Sequence, residues 1–219
     1  MTEPSKSRRP ISTRNAGWAQ KIAGALSRTG ITPNQISALS VICALASFGF
    51  FYLYAGLNSA EFGSGAAVLI GAVLFIQGRL LCNLFDGMVA MEGGKAGPDG
   101  PFWNEFPDRA ADIFILVGAG YAAQSVTWGW IAAALAVFVA YTRELGRANG
   151  LAADYRGPMA KQHRMAIITL AAILAIFEPL WTSQASGSVV LKWALYIVVI
   201  GCVVTILRRA STQVKQLKS

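Results

Sequence analysis

The chain has 219 residues, of which 54% are hydrophobic and 14% are charged, and its mean hydropathy is +0.48. Because a soluble domain carries about 25% charged residues, this composition excludes an ordinary soluble domain and indicates an integral membrane protein. The net charge is +8. We assign this basic excess to loops that face anionic headgroups and exclude a nucleic-acid partner, because no stretch alternates basic and aromatic residues.

Six apolar segments are long enough to cross a bilayer core of about 30 Å, which takes about 20 helical residues. They lie at 36–56, 65–91, 105–124, 126–146, 165–181 and 189–208. We therefore predict an all-α, multi-pass membrane protein with six transmembrane helices. The predicted divisions of the chain are a cytosolic N-terminal segment (1–34), a six-helix transmembrane domain (35–209) and a cytosolic basic tail (210–219).

The positions of the basic residues predict which side of the membrane each loop faces. The connectors 57–65 and 182–188 contain no Lys or Arg. Most of the 19 Lys and Arg residues lie before the first span and after the second, fourth and sixth, among them Lys6, Arg8, Arg9, Arg14, Lys21, Arg28, Lys95, Arg147, Arg156, Lys161, Arg164, Arg208 and Arg209. Since cytosolic loops carry the excess of Lys and Arg, both termini are predicted to be cytosolic, in a plasma membrane or a bacterial inner membrane.

The segment before the first span, residues 15–30, predicts a short amphipathic helix that lies on the cytosolic surface of the membrane. Its apolar face holds Trp18, Ile22 and Leu26, and Lys21 and Arg28 lie toward the other face. Thr32 and Pro33 follow, and they predict the N-cap and the first turn of the first span.

The second span carries polar residues inside an apolar run, and ionisable groups at such depth are costly enough to indicate function. At 100° per residue, one stripe of this helix holds Asn83, Asp86, Gly87 and Ala90. Arg79 lies one turn before Asn83 on the same stripe. We expect Arg79 to face the protein interior, where it pairs with an acid or with a substrate phosphate.

The third span begins with a second polar cluster, in which Asp108 and Asp112 lie one turn apart and Asn104 lies a turn earlier. The second and third spans run in opposite directions and are joined by a short loop, so the two clusters are predicted to meet at the cytosolic end. Carboxylates grouped in a medium of low dielectric must share protons, pair with Arg79 or Arg109, or bind cations.

The residues alone leave three uses open for these acids. All-oxygen ligands suit Mg²⁺, Mn²⁺ or Ca²⁺, and two such ions would clamp a phosphate group for in-line displacement. A salt-bridge network that only fastens two helices is the structural alternative. A cation-coupled transporter is the third, although the acids cluster near the interface and no inverted repeat is apparent.

The two clusters resemble the signature of the CDP-alcohol phosphotransferase family, D-x-x-D-G-x-x-A-R followed by G-x-x-x-D-x-x-x-D. The sequence reads NLFDGMVAM at 83–91 and NEFPDRAAD at 104–112. Asn83 replaces the first aspartate of the signature, Met91 its arginine and Asn104 its second glycine. The resemblance implies an enzyme that transfers a phosphatidyl group from CDP-diacylglycerol to an alcohol and releases CMP, acting on membrane lipids as a homodimer.

The resemblance also implies a role for each polar residue. A dinuclear Mg²⁺ or Mn²⁺ site would be held by Asn83, Asp86, Asp108 and Asp112, with Asp112 also the general base. The nucleotide would be bound by Gly87, Ala90 and Asn104. The phosphate or acceptor would be bound by Arg79, Arg109, Arg147 and Lys161.

The departures from the signature limit these expectations. Asn83 offers a carbonyl oxygen without a charge, so we expect weaker or altered metal affinity. Because of Asn83 and Met91, the alternative hypothesis is that the chain is a catalytically silent relative of the family. The basic loop at 157–164 favours a phosphorylated acceptor such as glycerol 3-phosphate or an inositol phosphate.

Overall fold

The computed structural model describes residues 16–57, 62–92, 94, 97–182 and 187–218. Within these ranges the chain is helical and contains no strand. The α-helices are α1 (Gly17–Arg28), α2 (Pro33–Gly56), α3 (Phe62–Glu92), α4 (Gly100–Ala122), α5 (Val126–Ala148), α6 (Lys161–Phe177) and α7 (Val189–Lys218), and a 3₁₀ turn (Glu178–Leu180) extends α6. The basic residues Lys6, Arg8, Arg9, Arg14 and Lys95 lie outside the described residues.

Five helices in the described ranges are long and apolar enough to cross a membrane, namely α2, α3, α5, α6 with its 3₁₀ turn, and α7. The prediction of an all-helical, multi-pass membrane protein is confirmed at this level. The third predicted span forms α4, which is not among the five, because its first half carries the four charged residues Glu105, Asp108, Arg109 and Asp112. That α4 spans the membrane stays a prediction.

Helix α4 lies in the interior of the bundle, in contact with α2, α3, α5, α6 and α7. Its close packing depends on glycines. A Cβ atom on Gly118 would lie 3.0 Å from the Cα atom of Phe48 in α2. A Cβ atom on Gly120 would lie 2.8 Å from the Cα atom of Gly129 in α5. Small residues at these crossings let the helix backbones approach each other directly, as is common in membrane proteins.

The start of α2 confirms the predicted cap. The Thr32 side chain accepts a hydrogen bond from the backbone N–H of Gln35 (3.2 Å), and the Gln35 side chain accepts one from the backbone N–H of Thr32 (3.0 Å). Pro33 occupies the first turn, where its missing N–H costs nothing.

Helix α1 falls within the predicted segment 15–30, and two alanines together with one residue of the predicted apolar face, Leu26, hold it to the protein. Ala19 and Ala23 are fully buried in a cluster with residues of α3, whereas Trp18 and Ile22 are exposed. The small alanine side chains let α1 pack closely on α3, and Leu26 of the predicted apolar face is partly buried against the same cluster. The location of α1 at the membrane surface stays a prediction.

Helix α7 continues to Lys218, so residues 210–218 of the predicted tail form its last turns, and the cytosolic location of this segment stays a prediction. Gln213 connects this part of α7 to α5. Its amide donates to the carbonyl of Thr142 in α5 (2.7 Å), and it lies against Gly146, where a Cβ atom would be 2.7 Å from the Gln213 amide nitrogen. The end of α7 is thereby fastened along α5.

We predict that Gly129→Ala lowers the stability of the protein by about 1–3 kcal/mol, because the added methyl group meets backbone atoms that cannot move aside. Thermal unfolding of the detergent-purified protein measures the effect. Gly49→Ala in α2 is the matched control, since nothing lies within 4 Å of its Cβ position and alanine favours the helix. Equal melting temperatures for the two variants would contradict the close α4–α5 crossing.

Candidate active site

The polar residues of α3, α4 and α6 meet at one end of the bundle. The C-terminal half of α3 supplies Arg79, Asn83 and Asp86. Helix α4 supplies Asp108 and Asp112, and α6 begins with Lys161. The predicted meeting of the two acidic clusters is therefore present in the structure. Each acid has different partners, which we describe in turn.

Asp108 is buried and lies at the centre of the cluster, with two residues of α3 and one of α6 around it. One carboxylate oxygen accepts from Arg79 Nη2 and from Asn83 Nδ2, each at 3.1 Å. The other accepts a short hydrogen bond from Lys161 Nζ and lies 3.7 Å from Arg109 Nη2. Asp108 thus joins α3, α4 and α6.

Asp112 is fully buried, and a guanidinium group lies beside each of its oxygens. Oδ1 lies 3.5 Å from Arg79 Nη2, and Oδ2 accepts from Arg164 Nη2 at 2.5 Å. Arg164 is itself fixed by a hydrogen bond from Nη1 to the carbonyl of Met159 (2.9 Å). Arg79 therefore pairs with acids, which is one of the two uses that the sequence predicts for it.

Asp86 differs from the other two aspartates because its partners are neutral. Ser37 Oγ donates to Oδ2 (2.7 Å), and the backbone N–H of Gly87 donates to Oδ1 (2.5 Å). Although Asp86 is buried, no ammonium or guanidinium group of the described residues lies within salt-bridge distance of it. Among the described residues, its direct partners are therefore neutral donors rather than cations.

Asn83 makes two hydrogen bonds of opposite kind. Its Nδ2 donates to Asp108, and its Oδ1 accepts from Lys161 Nζ at 2.6 Å. An aspartate at this position has no hydrogen to donate to Asp108 when it is ionised. The amide therefore fits the neighbours that it has in this chain.

A polar cleft opens beside this cluster, between α3, α4, α5, α6 and α7. The predicted site residues in its wall are Asn83, Gly87, Asn104, Asp108, Arg109 and Lys161. Arg79, Asp86 and Asp112 are buried beside them and do not line it. The structure does not place Ala90 or Arg147 in the cleft wall; Arg147 instead pairs with Glu144 at 3.0 Å.

Several cleft residues are absent from the set of site residues predicted from the sequence. They are Glu105, Arg143, Tyr155, Gln162, Arg164 and Arg209. Arg143 pairs with Glu105 and lies 5.6 Å above the ring of Tyr155. Arg143 and Arg147 are one turn apart on α5, and the basic cluster around the end of α5 is the signal that points to both. Arg209 lies on α7, and no local pattern connects it with the acids.

The donor set fits a divalent metal ion in chemical type, because carboxylate and amide oxygens are the ligands of Mg²⁺ and Mn²⁺. Among the described residues, however, no group of three or more His, Cys, Asp or Glu side chains is arranged to hold a metal ion. Asp108 and Asp112 already form salt bridges with cationic side chains, and within the described part of the chain Asp86 forms none. The residues therefore fit a metal ion near Asp86 better than a site shared equally by all three acids.

Comparison with known proteins identifies similar enzymes. No protein-family model matches the sequence. The chain is 28% identical over 198 residues to a phosphatidylinositol phosphate synthase from Streptomyces avermitilis, an alignment that covers 87% of this chain and 75% of that protein.

The structure is similar to crystal structures of phosphatidylinositol phosphate synthase from Mycobacterium tuberculosis. With the structure that has CDP-DAG bound, the TM-score is 0.68 at 20% identity, over 90% of this chain and 94% of that chain. With the complex containing manganese and citrate, the TM-score is 0.68 at 20% identity, over 89% of this chain and 88% of that chain. The chain therefore has the fold of these enzymes.

We predict that Arg79→Met destabilises the protein by about 3–5 kcal/mol, because it leaves buried carboxylates of Asp108 and Asp112 short of a counter-charge. Thermal unfolding in detergent measures the loss. The double variant Arg79→Met/Asp112→Asn removes one of these charges as well, so it should recover part of the stability.

Arg147→Met is the control for this prediction, since it breaks an exposed ion pair that contributes little. A melting temperature of Arg79→Met equal to that of Arg147→Met would contradict the buried ion-pair network.

Proposed function

We propose that the protein is an integral membrane phosphotransferase that moves a phosphatidyl group from CDP-diacylglycerol to a phosphorylated alcohol and releases CMP. The observation that carries the proposal is the meeting of the D-G-x-x-A segment of α3 with the Asp108–Asp112 pair of α4 beside a cleft rich in Arg and Lys. The acids suit phosphoryl transfer, and the cations suit anionic substrates.

The similar proteins support the same chemistry. They are phosphatidylinositol phosphate synthases, which belong to the CDP-alcohol phosphotransferase family. One of the similar structures has CDP-DAG bound, and another contains manganese. The motif resemblance in residues 83–112 leads to that family independently of these comparisons.

In the proposed reaction, the acceptor hydroxyl oxygen forms a bond to the β-phosphorus of the donor. The bond from that phosphorus to the bridging oxygen breaks, and CMP leaves with the bridging oxygen. The hydroxyl proton passes to a carboxylate, for which we propose Asp112. Arg79 and Arg164 keep Asp112 in the ionised form that a base requires. Because Asp112 is fully buried, the proposal requires Arg164 to release Oδ2 when the substrates bind.

Other residues of the cleft would bind and orient the substrates. Gly87 and Asn104 line the cleft where the nucleotide would approach, and Gly87 leaves room because it has no side chain. Arg109, Arg143 and Lys161 present cationic groups to phosphate oxygens. A divalent ion, held by Asp86 with Asp108 or Asp112, would neutralise the transferring phosphoryl group and the departing CMP.

The arrangement in the membrane is part of the proposal. Helix α4 would cross the membrane as the third of six spans, in addition to the five apolar helices. Both termini would face the cytosol, since the basic loops then lie on that side. The cleft would open to the cytosol and to the lipid, where a donor with two acyl chains can enter. The family resemblance supports a homodimer.

We predict that Asp112→Asn lowers the rate of CMP release by about 100-fold or more, because the acceptor hydroxyl loses its base. The assay uses purified protein, CDP-diacylglycerol, Mg²⁺ or Mn²⁺, and separate acceptors that include an inositol phosphate, glycerol 3-phosphate and serine.

Asp154→Asn is the control, since Asp154 lies outside the cleft in an ion pair with Arg156. It should release CMP at the wild-type rate. If the wild-type protein releases no CMP with any acceptor, the chain is a catalytically silent relative and the proposed function is wrong.

A further inference from the structure

The ammonium group of Lys161 occupies a position between two residues that the family resemblance assigns to metal. Its Nζ atom donates to Asn83 Oδ1 at 2.6 Å and makes a short hydrogen bond to Asp108 Oδ2. The Lys161 side chain is 24% exposed, so it is held in the wall of the cleft rather than extended into solvent. A cation already lies where the resemblance places a metal ion.

The charges of the side chains around the acids disfavour the binding of two divalent ions. The carboxylates of Asp86, Asp108 and Asp112 carry three negative charges, and four cations are paired with Asp108 and Asp112: Arg79, Arg109, Lys161 and Arg164. Including the neighbouring pair of Glu105 and Arg143 adds one charge of each sign and leaves the net charge at +1. Two divalent ions would add four further positive charges inside a buried site, where unbalanced charge is costly.

The three carboxylates are not equally available to a metal ion. Asp108 and Asp112 are each held by at least two cationic side chains, whereas the hydrogen bonds that Asp86 accepts from the described residues come from Ser37 and the backbone N–H of Gly87. A hard dication gains most from the carboxylate that is not already neutralised. Of the three carboxylates, Asp86 is therefore the best suited to anchor a metal ion.

Asn83 and Lys161 are matched to each other. The neutral amide accepts from the ammonium with one atom and donates to Asp108 with the other. Relative to the family signature, this chain lacks one carboxylate at position 83 and has an ammonium group hydrogen-bonded to the residue that replaces it. The neutral amide at position 83 and the ammonium group of Lys161 therefore fit together, because the site has one negative charge fewer and already holds one positive charge.

We infer that the site binds one divalent cation, at Asp86, and that the ammonium of Lys161 takes the place of the second metal ion. The inference rests on the proposed function, because it concerns the metal requirement of the same site. It changes the expectation of a dinuclear centre to a centre with one metal ion and one resident cation.

The test is the number of Mn²⁺ ions bound per chain, measured without substrates by the EPR signal of free Mn²⁺ during titration of the full-length protein in lipid nanodiscs. The wild-type protein should bind one Mn²⁺. The double variant Asn83→Asp/Lys161→Ala supplies the missing carboxylate and empties the ammonium position, so it should bind two. Lys192→Ala removes a lysine from the opposite end of the bundle and should bind one.

Two Mn²⁺ ions on the wild-type chain, or none, would overturn the inference, and this measurement needs no engineered variant. One ion on a folded double variant would overturn the role assigned to Lys161. CMP release measured on the same preparations separates the two proposals. Two ions with CMP release would contradict only this inference, whereas one ion without CMP release would contradict only the proposed function.

Discussion

The pairing of Asp108 and Asp112 with cations from two other helices is the constraint on which this end of the bundle depends. Removing a carboxylate from water costs several kcal/mol unless opposite charges and hydrogen bonds compensate it. Helix α3 supplies Arg79 to both acids, and α6 supplies Lys161 to one and Arg164 to the other. Because each acid needs these partners, the three helices must meet in this arrangement, and the cleft forms beside them.

The same network gives the cleft its chemical character. Its wall presents guanidinium and ammonium groups together with an aspartate, which suits substrates that carry phosphate groups. Asp86 lies buried next to the cleft, and its hydrogen-bond partners among the described residues are neutral, so it is the carboxylate that we propose as the anchor of a metal ion. The ion pairs that stabilise the bundle and the groups proposed for phosphoryl transfer are therefore largely the same residues.

Much of the site could be predicted because its signals are local or periodic. The cap at Thr32 depends on four consecutive residues, and the polar stripe of α3 follows from helical spacing. The pairing of Arg79 with an acid follows from the cost of a charge at that depth. The enzyme class predicted from the motif agrees with the names of the similar proteins.

Other features depend on contacts between distant segments, which a single sequence does not show. Arg209 reaches the cleft from α7, where it donates to the carbonyl of Val139, and no spacing along the chain indicates this. The buried contact of Gln213 with α5 likewise joins two segments that are 71 residues apart in the sequence. Arg147 pairs with Glu144, so the phosphate role predicted for it has no support in the geometry of the cleft.

A crystal structure of the protein with CDP-diacylglycerol and Mn²⁺ tests the central claim most directly, because anomalous scattering locates the metal independently of the protein atoms. The account predicts the pyrophosphate in the cleft between α3 and α6 and a manganese peak in contact with Asp86. It also predicts that Lys161 Nζ stays against Asp108. A donor bound elsewhere, or no manganese peak beside Asp86 when the donor fills the cleft, would contradict it.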